Sequence, residues 1–282
     1  MTQPSSSSSS SSPELSAAAA AAALVAKTWS VALVEAIDEF ACAPTVLVAS
    51  DFDGVLAPLV QDPMASRPLQ GTIESLEGLA ALPRTYAAVV SGRDLETLTL
   101  LTGLAGSRVT RIGSHGAETS ASGTPALTDE QRLALGRITD DLKDLCASLP
   151  AGPSLEFKPG AVVFHTRRMT DESAAREAEE AALEVTTRHT GLHVLHGKHV
   201  VEVSVVQADK GTALVALRDE LGADVVAYFG DDVTDEDAFR ALGSDDVTVK
   251  VGPGATAARF RVDSPEEAAA ALRLLFERRS RQ

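Results

Sequence analysis

The stretch VLVASDFDGVLAP, residues 46–58, decides the fold of this chain. It begins as a short run of apolar and β-branched residues, which is typical of a strand buried on both faces of a parallel sheet. It ends with Asp51 and Asp53, which are separated only by Phe52. Because side chains i and i+2 of an extended chain point the same way, we expect these two carboxylates to crowd one spot at the end of the strand.

Strands and helices alternate on either side of this stretch. Apolar runs predict strands at residues 45–50, 85–90, 108–112, 225–230 and 247–251, and helical spacing predicts helices at residues 69–82, 94–101, 210–221 and 235–242. The alternation predicts an α/β fold with a Rossmann-like core, in which helices cover both faces of a parallel sheet.

The middle of the chain follows a different pattern. The order helix, hairpin, helix, hairpin predicts helices at residues 128–148 and 171–189 and strands at residues 154–158, 161–167, 192–195 and 199–205, with a turn at residues 196–198. We therefore predict that residues 117–202 form an α+β domain inserted into a core of residues 17–116 and 203–282.

The N-terminal segment has a biased composition. Residues 1–16 contain a long serine run, which predicts a disordered tail, and the alanine run that follows predicts a helix from residue 17 towards Phe40. The first lysine, Lys27, comes after the apolar run, whereas a secretory signal carries its positive charge before it. No run of 18 uncharged apolar residues occurs, so we expect no membrane-spanning helix.

Charge and cysteine content limit the partners and the compartment. The 25 Lys and Arg residues face 40 Asp and Glu residues, which gives a formal net charge of -15. Nucleic acids and anionic membranes attract basic surfaces, so we predict neither as a partner. The two cysteines do not resemble a disulfide framework, which favours a reducing compartment. We predict a cytoplasmic monomer.

Polar residues follow four of the predicted strands, where ligands bind in open α/β sheets. The segments are Asp51–Gly54, Ser91–Asp94, Gly113–Gly116 and Asp231–Asp235. Two of them contain clustered carboxylates, which cannot all be ionised side by side without a cation. Oxygen ligands without thiols suit Mg²⁺, so the sequence predicts a magnesium site at this edge. With the cation present, a phosphoryl group can bind and one acid can attack phosphorus.

Lys210 supplies an independent indication of an anion site. It follows Asp209, the predicted N-cap of a helix, and a lysine there is unfavourable by roughly 0.3–1 kcal/mol because of the positive helix dipole. A solvated lysine tolerates that cost, but beside the carboxylate cluster we interpret Lys210 as a ligand for an anion.

Some acids and histidines have simpler structural explanations. The segments Ser91–Asp94 and Thr234–Asp237 both match the capping-box pattern, so we assign Asp237 to capping and keep Asp235 as a candidate metal ligand. Asp231 is a stronger candidate, because it directly follows a strand. Four histidines lie close in sequence, but their predicted context of helix, strand and turn scatters the rings, so we predict no metal site there. They are His189, His193, His196 and His199.

Four ordered segments resemble the motifs of the haloacid dehalogenase superfamily of phosphohydrolases. They are DFDGVLAP at 51–58, VVSGRD at 89–94, ADKGTAL at 208–214 and GDDVTDEDAF at 230–239. The segment GSHGAE at 113–118 and the pattern from Glu156-x-Lys158 to His165-x-Arg167 resemble, within it, the family of trehalose-6-phosphate phosphatases. The resemblance spans roughly residues 45 to 275 and implies that the inserted domain is a cap.

The resemblance also implies roles for individual residues. Asp51 would be the nucleophile and a metal ligand. Asp53 would protonate the leaving sugar oxygen and then activate water, and its backbone carbonyl would bind the metal. Ser91 and Lys210 would hold the phosphoryl oxygens.

Further residues are implied in metal and sugar binding. Asp231 would be the acidic metal ligand, and the resemblance leaves open whether Asp232 or Asp235 touches the metal directly. The implied sugar-contacting residues are Arg93, His115, Glu156, Lys158, Arg167 and Glu202. Without the resemblance, Glu156 and Lys158 also fit a solvated stripe of opposite charges on a hairpin, and Arg93 fits an ordinary surface position.

The implied activity is Mg²⁺-dependent hydrolysis of trehalose 6-phosphate through an aspartyl phosphate. The same residues fit a phosphatase for sucrose 6-phosphate, glucosylglycerol phosphate or a glycosylglycerate phosphate. A phosphohexomutase on a related scaffold would release an isomer rather than phosphate. A sugar-phosphate sensor that does not turn over its ligand is the alternative from another class, although it needs no acid at Asp53.

Overall fold

The computed structural model describes residues 29–121, 127–149, 152–206 and 208–282. The predicted tail and the first part of the predicted N-terminal helix lie outside these residues. The described helix nearest to the N-terminus begins after Ser30, whose side chain accepts a hydrogen bond from the Leu33 N–H at 3.2 Å. Within the described ranges, no helix combines the length and the apolar character that a bilayer crossing requires.

The described elements follow the predicted alternation. The helices are α1 Val31–Cys42, α2 Thr72–Ala81, α3 Leu95–Thr102, α4 Asp129–Ser148, α5 Glu172–Thr186, α6 Lys210–Leu221, α7 Asp235–Ala241 and α8 Pro265–Arg279. The strands are β1 Val46–Ser50, β2 Thr85–Val90, β3 Thr110–Gly113, β4 Glu118–Thr119, β5 Ser154–Lys158, β6 Ala161–His165, β7 His193–Gly197, β8 Val200–Ser204, β9 Val225–Gly230, β10 Val247–Val251 and β11 Phe260–Val262.

The main sheet has seven strands in the order β11-β10-β9-β1-β2-β3-β4. All neighbours are parallel except β3 and β4, which confirms the predicted α/β core with a mainly parallel sheet. Strand β1 lies between β2 and β9, and all five of its residues are buried. The carboxyl ends of β1, β2 and β9 therefore lie side by side at one edge of the sheet.

Helices cover both faces of this sheet. Val46 and Val48 of β1 belong to a core that α1, α2, α3 and α8 complete, whereas Leu47 and Ala49 belong to a core completed by α6 and α7. This division follows from the alternation of side chains along a strand. Burying each Leu or Val contributes about 1.5–3 kcal/mol, so the two cores fix β1 and with it the start of the following loop.

A second sheet is antiparallel and has four strands in the order β5-β6-β8-β7. One face packs against α4 and α5 through Val162, Phe164 and Val201. The opposite face carries Lys158, whose Nζ donates to the Gly92 carbonyl at 3.2 Å and so joins this sheet to the carboxyl-end edge of the main sheet.

Several short or C-terminal elements lie outside the predicted set. Strand β4 lies at the start of the predicted insertion but pairs with β3 of the main sheet. Strand β11 and helix α8 extend the core beyond β10. The predicted turn at residues 196–198 is wrong by about one residue, because β7 continues to Gly197 and His199 adopts the left-handed conformation with φ 60°.

Candidate active site

Three adjacent strand ends and one helix start build the candidate site. Asp51 follows β1, Ser91 follows β2 and Asp231 follows β9, so the order of the strands brings these side chains to one edge. Lys210 is the first residue of α6, and its predicted N-cap Asp209 accepts a hydrogen bond from the Thr212 N–H at 2.8 Å.

Asp51 and Lys210 form a buried ion pair. The Lys210 Nζ lies 2.8 Å from Asp51 Oδ2, and both side chains are less than a tenth exposed. The Phe52 N–H donates to Asp51 Oδ1 at 2.6 Å. Although burial opposes it, the anions of Asp51 and Asp235 raise the pKa of Lys210, so the ammonium group stays charged.

Asp235 is a fully buried carboxylate with four hydrogen-bond donors. Oδ1 accepts from Lys210 at 2.8 Å and from the Tyr228 hydroxyl at 2.6 Å. Oδ2 accepts from the backbone N–H groups of Asp231 and Asp232, each at 2.9 Å. Burial works against ionisation, but Lys210 and these donors lower the pKa of Asp235. Asp235 therefore fixes the loop that follows β9.

This network also corrects the predicted role of Asp237. Thr234 precedes α7, but its side chain makes no capping hydrogen bond. Asp237 pairs instead with Arg240 at 3.2 Å on an exposed part of the helix. The predicted capping box is wrong, because Thr234 accepts no N–H of the helix through its side chain, and Asp235 instead accepts the N–H groups of the preceding loop.

Asp231 points its carboxylate at the backbone of Gly54. Gly54 has φ 78°, and a Cβ atom there would collide with the Asp231 carboxylate. No described residue donates a hydrogen bond to a side-chain oxygen of Asp231, while its carbonyl accepts from Lys250. Burial, followed by repulsion from Asp235, raises the pKa of Asp231 to about 7. Burial likewise raises the pKa of Asp51, although Lys210 opposes the shift.

Three of the predicted acids converge. Oxygen atoms of Asp51, Asp231 and Asp235 all lie within 4.8 Å of one another. Because one lysine cannot neutralise two buried carboxylates and a half-buried one, this group suits a divalent cation in both charge and donor type. Asp232 lies beside the group, but its side chain is exposed and its hydrogen bonds with Asp235 are made by its backbone N–H and carbonyl.

Asp53 does not join this group, so the expectation that it crowds Asp51 is wrong. Its Oδ2 lies 2.6 Å from the Nε of Arg93, and its Oδ1 accepts from the Nη2 of Arg93 at 2.7 Å. The reason is the path of the chain: β1 ends at Ser50, and the backbone then turns through Gly54 instead of continuing as a strand.

Ser91 is buried at the start of the loop after β2. Its Oγ accepts from the Arg93 N–H at 3.2 Å. The capping box predicted to begin at Ser91 is wrong, because Asp94 is itself the N-cap of α3 and accepts from the Thr97 N–H at 2.7 Å.

His115 stands beside the same loop on a strained turn. Ser114 and His115 both have positive φ, at 49° and 55°. Glu118 holds the turn, since it accepts from the Ser114 hydroxyl at 2.7 Å and from the Leu95 N–H at 3.1 Å. A Cβ at Gly92 would lie 2.5 Å from the imidazole of His115. Burial lowers the pKa of His115 to about 4, so the ring is neutral.

The second sheet contributes the other wall of a cleft that opens onto Lys210. Its lining residues are Ser114, His115, His193, Val194, Leu195, Glu202, Ser204, Val206, Ala208, Asp209, Lys210, Thr234 and Asp237. The Lys158 Nζ lies 2.9 Å from Glu202, and the pair is at most 13% exposed. Glu156 accepts a hydrogen bond from the Nε2 of His165 at 2.8 Å, whereas Arg167 is exposed beyond the end of β6.

The sequence did not predict the roles of two residues in and near this cleft, Leu195 and Glu118. Leu195 of β7 lines the cleft, but its neighbours in sequence do not distinguish it from an ordinary strand residue. The GSHGAE segment contains Glu118, whose bracing of the turn is visible only in three dimensions. Three of the four clustered histidines pair with helix carboxylates: His189 with Asp141 at 2.8 Å, and His196 and His199 with Glu179 at 3.1 and 3.6 Å.

Comparisons with known proteins agree with this geometry. The trehalose-phosphatase family model matches residues 49–272. Trehalose-phosphate phosphatase of Mycobacterium ulcerans is 35% identical over 241 residues, which cover 80% of this chain and 60% of that protein. A bifunctional trehalose-6-phosphate synthase/phosphatase of Thermoproteus tenax is 36% identical over 235 residues, covering 79% of this chain and 31% of that protein. The chain thus spans at most about three fifths of the length of these two relatives.

Solved structures show the same fold. The C-terminal domain of Candida albicans trehalose-6-phosphate phosphatase superposes with a TM-score of 0.72 at 23% identity, covering 89% of this chain and 98% of that one. One crystal form of Aspergillus fumigatus trehalose-6-phosphate phosphatase gives a TM-score of 0.63 at 26% identity, covering 89% and 99%. The predicted haloacid dehalogenase fold is confirmed. Because the family model also matches well over half of its 282 residues, the chain belongs to the trehalose-phosphatase family.

Proposed function

We propose that this protein is a Mg²⁺-dependent phosphatase that hydrolyses trehalose 6-phosphate to trehalose and phosphate. The observation that carries the proposal is the convergence of Asp51 and Asp231 next to Lys210, which lines the cleft that the second sheet covers. A phosphomonoester needs a nucleophile, a cation and a covered pocket at one point, and this cleft offers all three in a chain of the trehalose-phosphatase family.

Asp51 is the proposed nucleophile. Its carboxylate oxygen attacks phosphorus, the bond from phosphorus to the sugar oxygen breaks, and an aspartyl phosphate forms. The charged ammonium group of Lys210, 2.8 Å from Asp51, is placed to attract a phosphoryl oxygen, and the Ser91 hydroxyl is placed to donate to another. Because the transition state carries charge on the phosphoryl oxygens, these positions account for most of the catalysis.

Asp51 and Asp231 are the proposed side-chain ligands of Mg²⁺. The side-chain oxygens of Asp231 receive no hydrogen bond from a described residue, whereas the two side-chain oxygens of Asp235 already accept four hydrogen bonds. We therefore propose that Asp235 positions the loop and that Asp232 stays outside the ligand set. The cation supplies charge neutralisation for the phosphoryl oxygens.

Asp53 is the proposed acid and base. It gives a proton to the sugar oxygen as the bond to phosphorus breaks, which leaves Asp53 ionised. Water then attacks the phosphorus of the aspartyl phosphate and passes a proton to Asp53, while the bond from phosphorus to the Asp51 oxygen breaks. Phosphate is released, and both aspartates return to their starting states.

The second sheet with α4 and α5 is the proposed cap, and its polar face is the proposed sugar site. Glu156, Lys158 and Glu202 lie on this face, and His115 approaches from the core. Charged groups that pair with sugar hydroxyls discriminate against ligands that lack those hydroxyls. Arg167 is exposed, and its predicted sugar contact stays a prediction.

Phosphate release tests the proposal. Wild-type protein is assayed with trehalose 6-phosphate, sucrose 6-phosphate and glucose 6-phosphate, with Mg²⁺ or with EDTA. We expect the fastest release from trehalose 6-phosphate, loss of release in EDTA, and no release by Asp51→Asn. Asp140→Asn, which removes an exposed acid of α4, is the control with full activity.

Three outcomes would contradict the proposal. Faster release from sucrose 6-phosphate would keep the chemistry and change the substrate. An isomer without free phosphate would indicate a mutase, and binding of trehalose 6-phosphate without turnover would indicate a sensor.

A further inference from the structure

We propose that Arg93 is a positioning residue which, together with Ser66, fixes the carboxyl group of Asp53 for proton transfer to the leaving sugar oxygen. This inference rests on the proposed function and changes the role that sequence resemblance implies for Arg93, which is contact with the sugar. It also gives a role to Ser66, which no sequence pattern singles out.

The contacts of Asp53 fix both the position and the plane of its carboxyl group. Two guanidinium nitrogens of Arg93 reach two different oxygens of Asp53, at 2.6 and 2.7 Å. Such a two-point pair specifies geometry as well as attraction. The hydroxyl of Ser66 donates to Asp53 Oδ1 at 3.3 Å from a fully buried position.

Arg93 is itself held in place from two sides. Its guanidinium lies over the ring of Phe52, 5.5 Å from the centroid, and its side chain is 13% exposed. Its backbone N–H donates to Ser91 Oγ, and its carbonyl accepts from the Ser114 N–H at 2.7 Å. The loop that we propose to bind the phosphoryl group is thus tied to the proposed acid through one side chain.

A lysine cannot take over this arrangement. Its ammonium group is a point charge without the planar fork that matches a carboxylate. Arg93→Lys therefore keeps the charge and removes the orientation, and Arg93→Gln removes both. Ser66→Ala removes only the hydroxyl contact.

A residue that orients Asp53 and a residue that binds the sugar have different effects on two substrates, trehalose 6-phosphate and 4-nitrophenyl phosphate. Asp53 has to protonate the sugar oxygen, which is a poor leaving group, but a 4-nitrophenolate ion leaves without a proton. A residue that orients Asp53 therefore acts on the first step with trehalose 6-phosphate and hardly at all on the first step with 4-nitrophenyl phosphate. A residue that binds the sugar changes KM for the sugar phosphate instead.

The experiment compares both substrates in the first step. Single-turnover kinetics with trehalose 6-phosphate and the initial burst of 4-nitrophenol are measured for wild type, Arg93→Gln, Arg93→Lys and Ser66→Ala. Arg108→Gln, which removes an exposed arginine just before β3 of the main sheet, is the matched control. Because general acid catalysis contributes about 10²–10⁴-fold, we expect Arg93→Gln to slow the sugar-phosphate step by roughly 10–100-fold, with Arg93→Lys and Ser66→Ala slowed less.

Two further measurements distinguish the positioning of Asp53 by Arg93 from a sugar contact or a general structural effect. We expect KM for trehalose 6-phosphate and the 4-nitrophenol burst to change by less than about threefold in each variant. We also expect Arg93→Gln to cause no further loss of the first step when Asp53→Asn is already present, since residues that act through one another are not additive.

Contrary results are equally specific. A rise in KM with an unchanged first step, equal slowing of both substrates, or full additivity with Asp53→Asn would overturn the role. If Arg93→Gln does not fold, Arg93→Lys and Ser66→Ala carry the comparison. If wild type does not hydrolyse trehalose 6-phosphate, the proposed function fails, and the same comparison with an alkyl phosphate that it does hydrolyse still decides the role of Arg93.

Discussion

Asp231 and Asp235 show how two carboxylates four residues apart acquire different chemistry. Asp235 sits at the start of α7 with Lys210, the Tyr228 hydroxyl and two backbone N–H groups around it. Asp231 receives no hydrogen bond to its side chain from a described residue and faces the backbone of Gly54. The protein itself stabilises Asp235 as an anion, and Asp231 is the carboxylate that we propose to bind the cation.

His115 allows a test of burial at the residue scale. Its folded-state pKa of about 4 lies below the ordinary value of 6.5, mainly because burial disfavours the charged ring. The unfolded chain thus binds more protons between these values, so the contribution of His115 to stability is complete above pH 6.5 and is lost as pH falls towards 4. We expect the free energy of unfolding of wild type to fall faster than that of His115→Gln over this range.

Urea unfolding at closely spaced pH values gives the slope of the free energy of unfolding against pH for wild type and for His115→Gln, and the difference between these two slopes is the quantity tested. It is expected to reach at most about 1.4 kcal/mol per pH unit, which corresponds to one proton. His193→Gln, which removes an exposed imidazole, is the control that keeps the wild-type slope. Parallel curves for wild type and His115→Gln would show that the buried ring does not titrate in this way.

At the scale of elements, long buried segments were predictable and short ones were not. The predicted bounds of β2, β9, β10 and α6 agree with the structure, because each begins and ends where an apolar pattern meets a turn or cap residue. Strands β4 and β11 have two and three residues, which are too few to form a pattern. Their existence depends on neighbouring strands and therefore on the tertiary fold.

The close crossing of α6 and α7 matters for the site, since α6 carries Lys210 and α7 carries Asp235. A Cβ at Gly211 would lie 2.5 Å from the Asp237 carbonyl and 2.9 Å from the Cβ of Ala241. We expect Gly211→Ala to push the two helices apart, to lower the free energy of unfolding by about 1–3 kcal/mol, and to lower kcat.

Gly136 provides the matched control for this prediction. It is exposed on α4, and a Cβ added there would meet no neighbouring atom within 4 Å. Gly136→Ala is therefore expected to raise stability by about 0.5–1 kcal/mol and to leave kcat unchanged. Chemical denaturation and phosphate release measure both effects. Normal stability and activity in Gly211→Ala would contradict the close crossing.

At the scale of the whole molecule, the two sheets meet over the candidate site. Lys158 connects them, since its ammonium group binds both Glu202 of the second sheet and the carbonyl of Gly92 in the core. This contact places the polar face of the second sheet above the loop that we propose to bind the phosphoryl group. Recognition of the sugar and chemistry at phosphorus are thus assigned to different halves of the structure.

Glu202→Gln tests this division. The change removes the charge that pairs with Lys158, and a hydrogen bond to a charged group contributes about 1.5–3 kcal/mol. We expect kcat/KM for trehalose 6-phosphate to fall by about 10–150-fold, which is the same energy expressed as a ratio, while hydrolysis of 4-nitrophenyl phosphate is kept. Glu184→Gln, which removes an exposed acid of α5, is the control. Equal losses with both substrates would place Glu202 in the chemistry and not in recognition.

The sequence placed the candidate residues at the correct edge of the sheet, but it could not say which of them meet. Asp51 and Asp231 follow strands, and Lys210 starts a helix. Such positions lie at one edge of the sheet when its strands run parallel. The separation of Asp53 from Asp51 depends on the turn through Gly54, which no periodic pattern records. The bracing by Glu118 depends on contacts between segments distant in space, which only the folded chain supplies.

The convergence of Asp51 and Asp231 on a divalent cation is tested most directly by calorimetric titration of metal-free protein with Mg²⁺. Asp231→Asn and Asp232→Asn remove the same charge from adjacent residues, and only the first changes a carboxylate in the converging group. We predict one binding event per chain in wild type and in Asp232→Asn and none in Asp231→Asn. Unchanged binding in Asp231→Asn, or its loss in Asp232→Asn alone, would contradict the account.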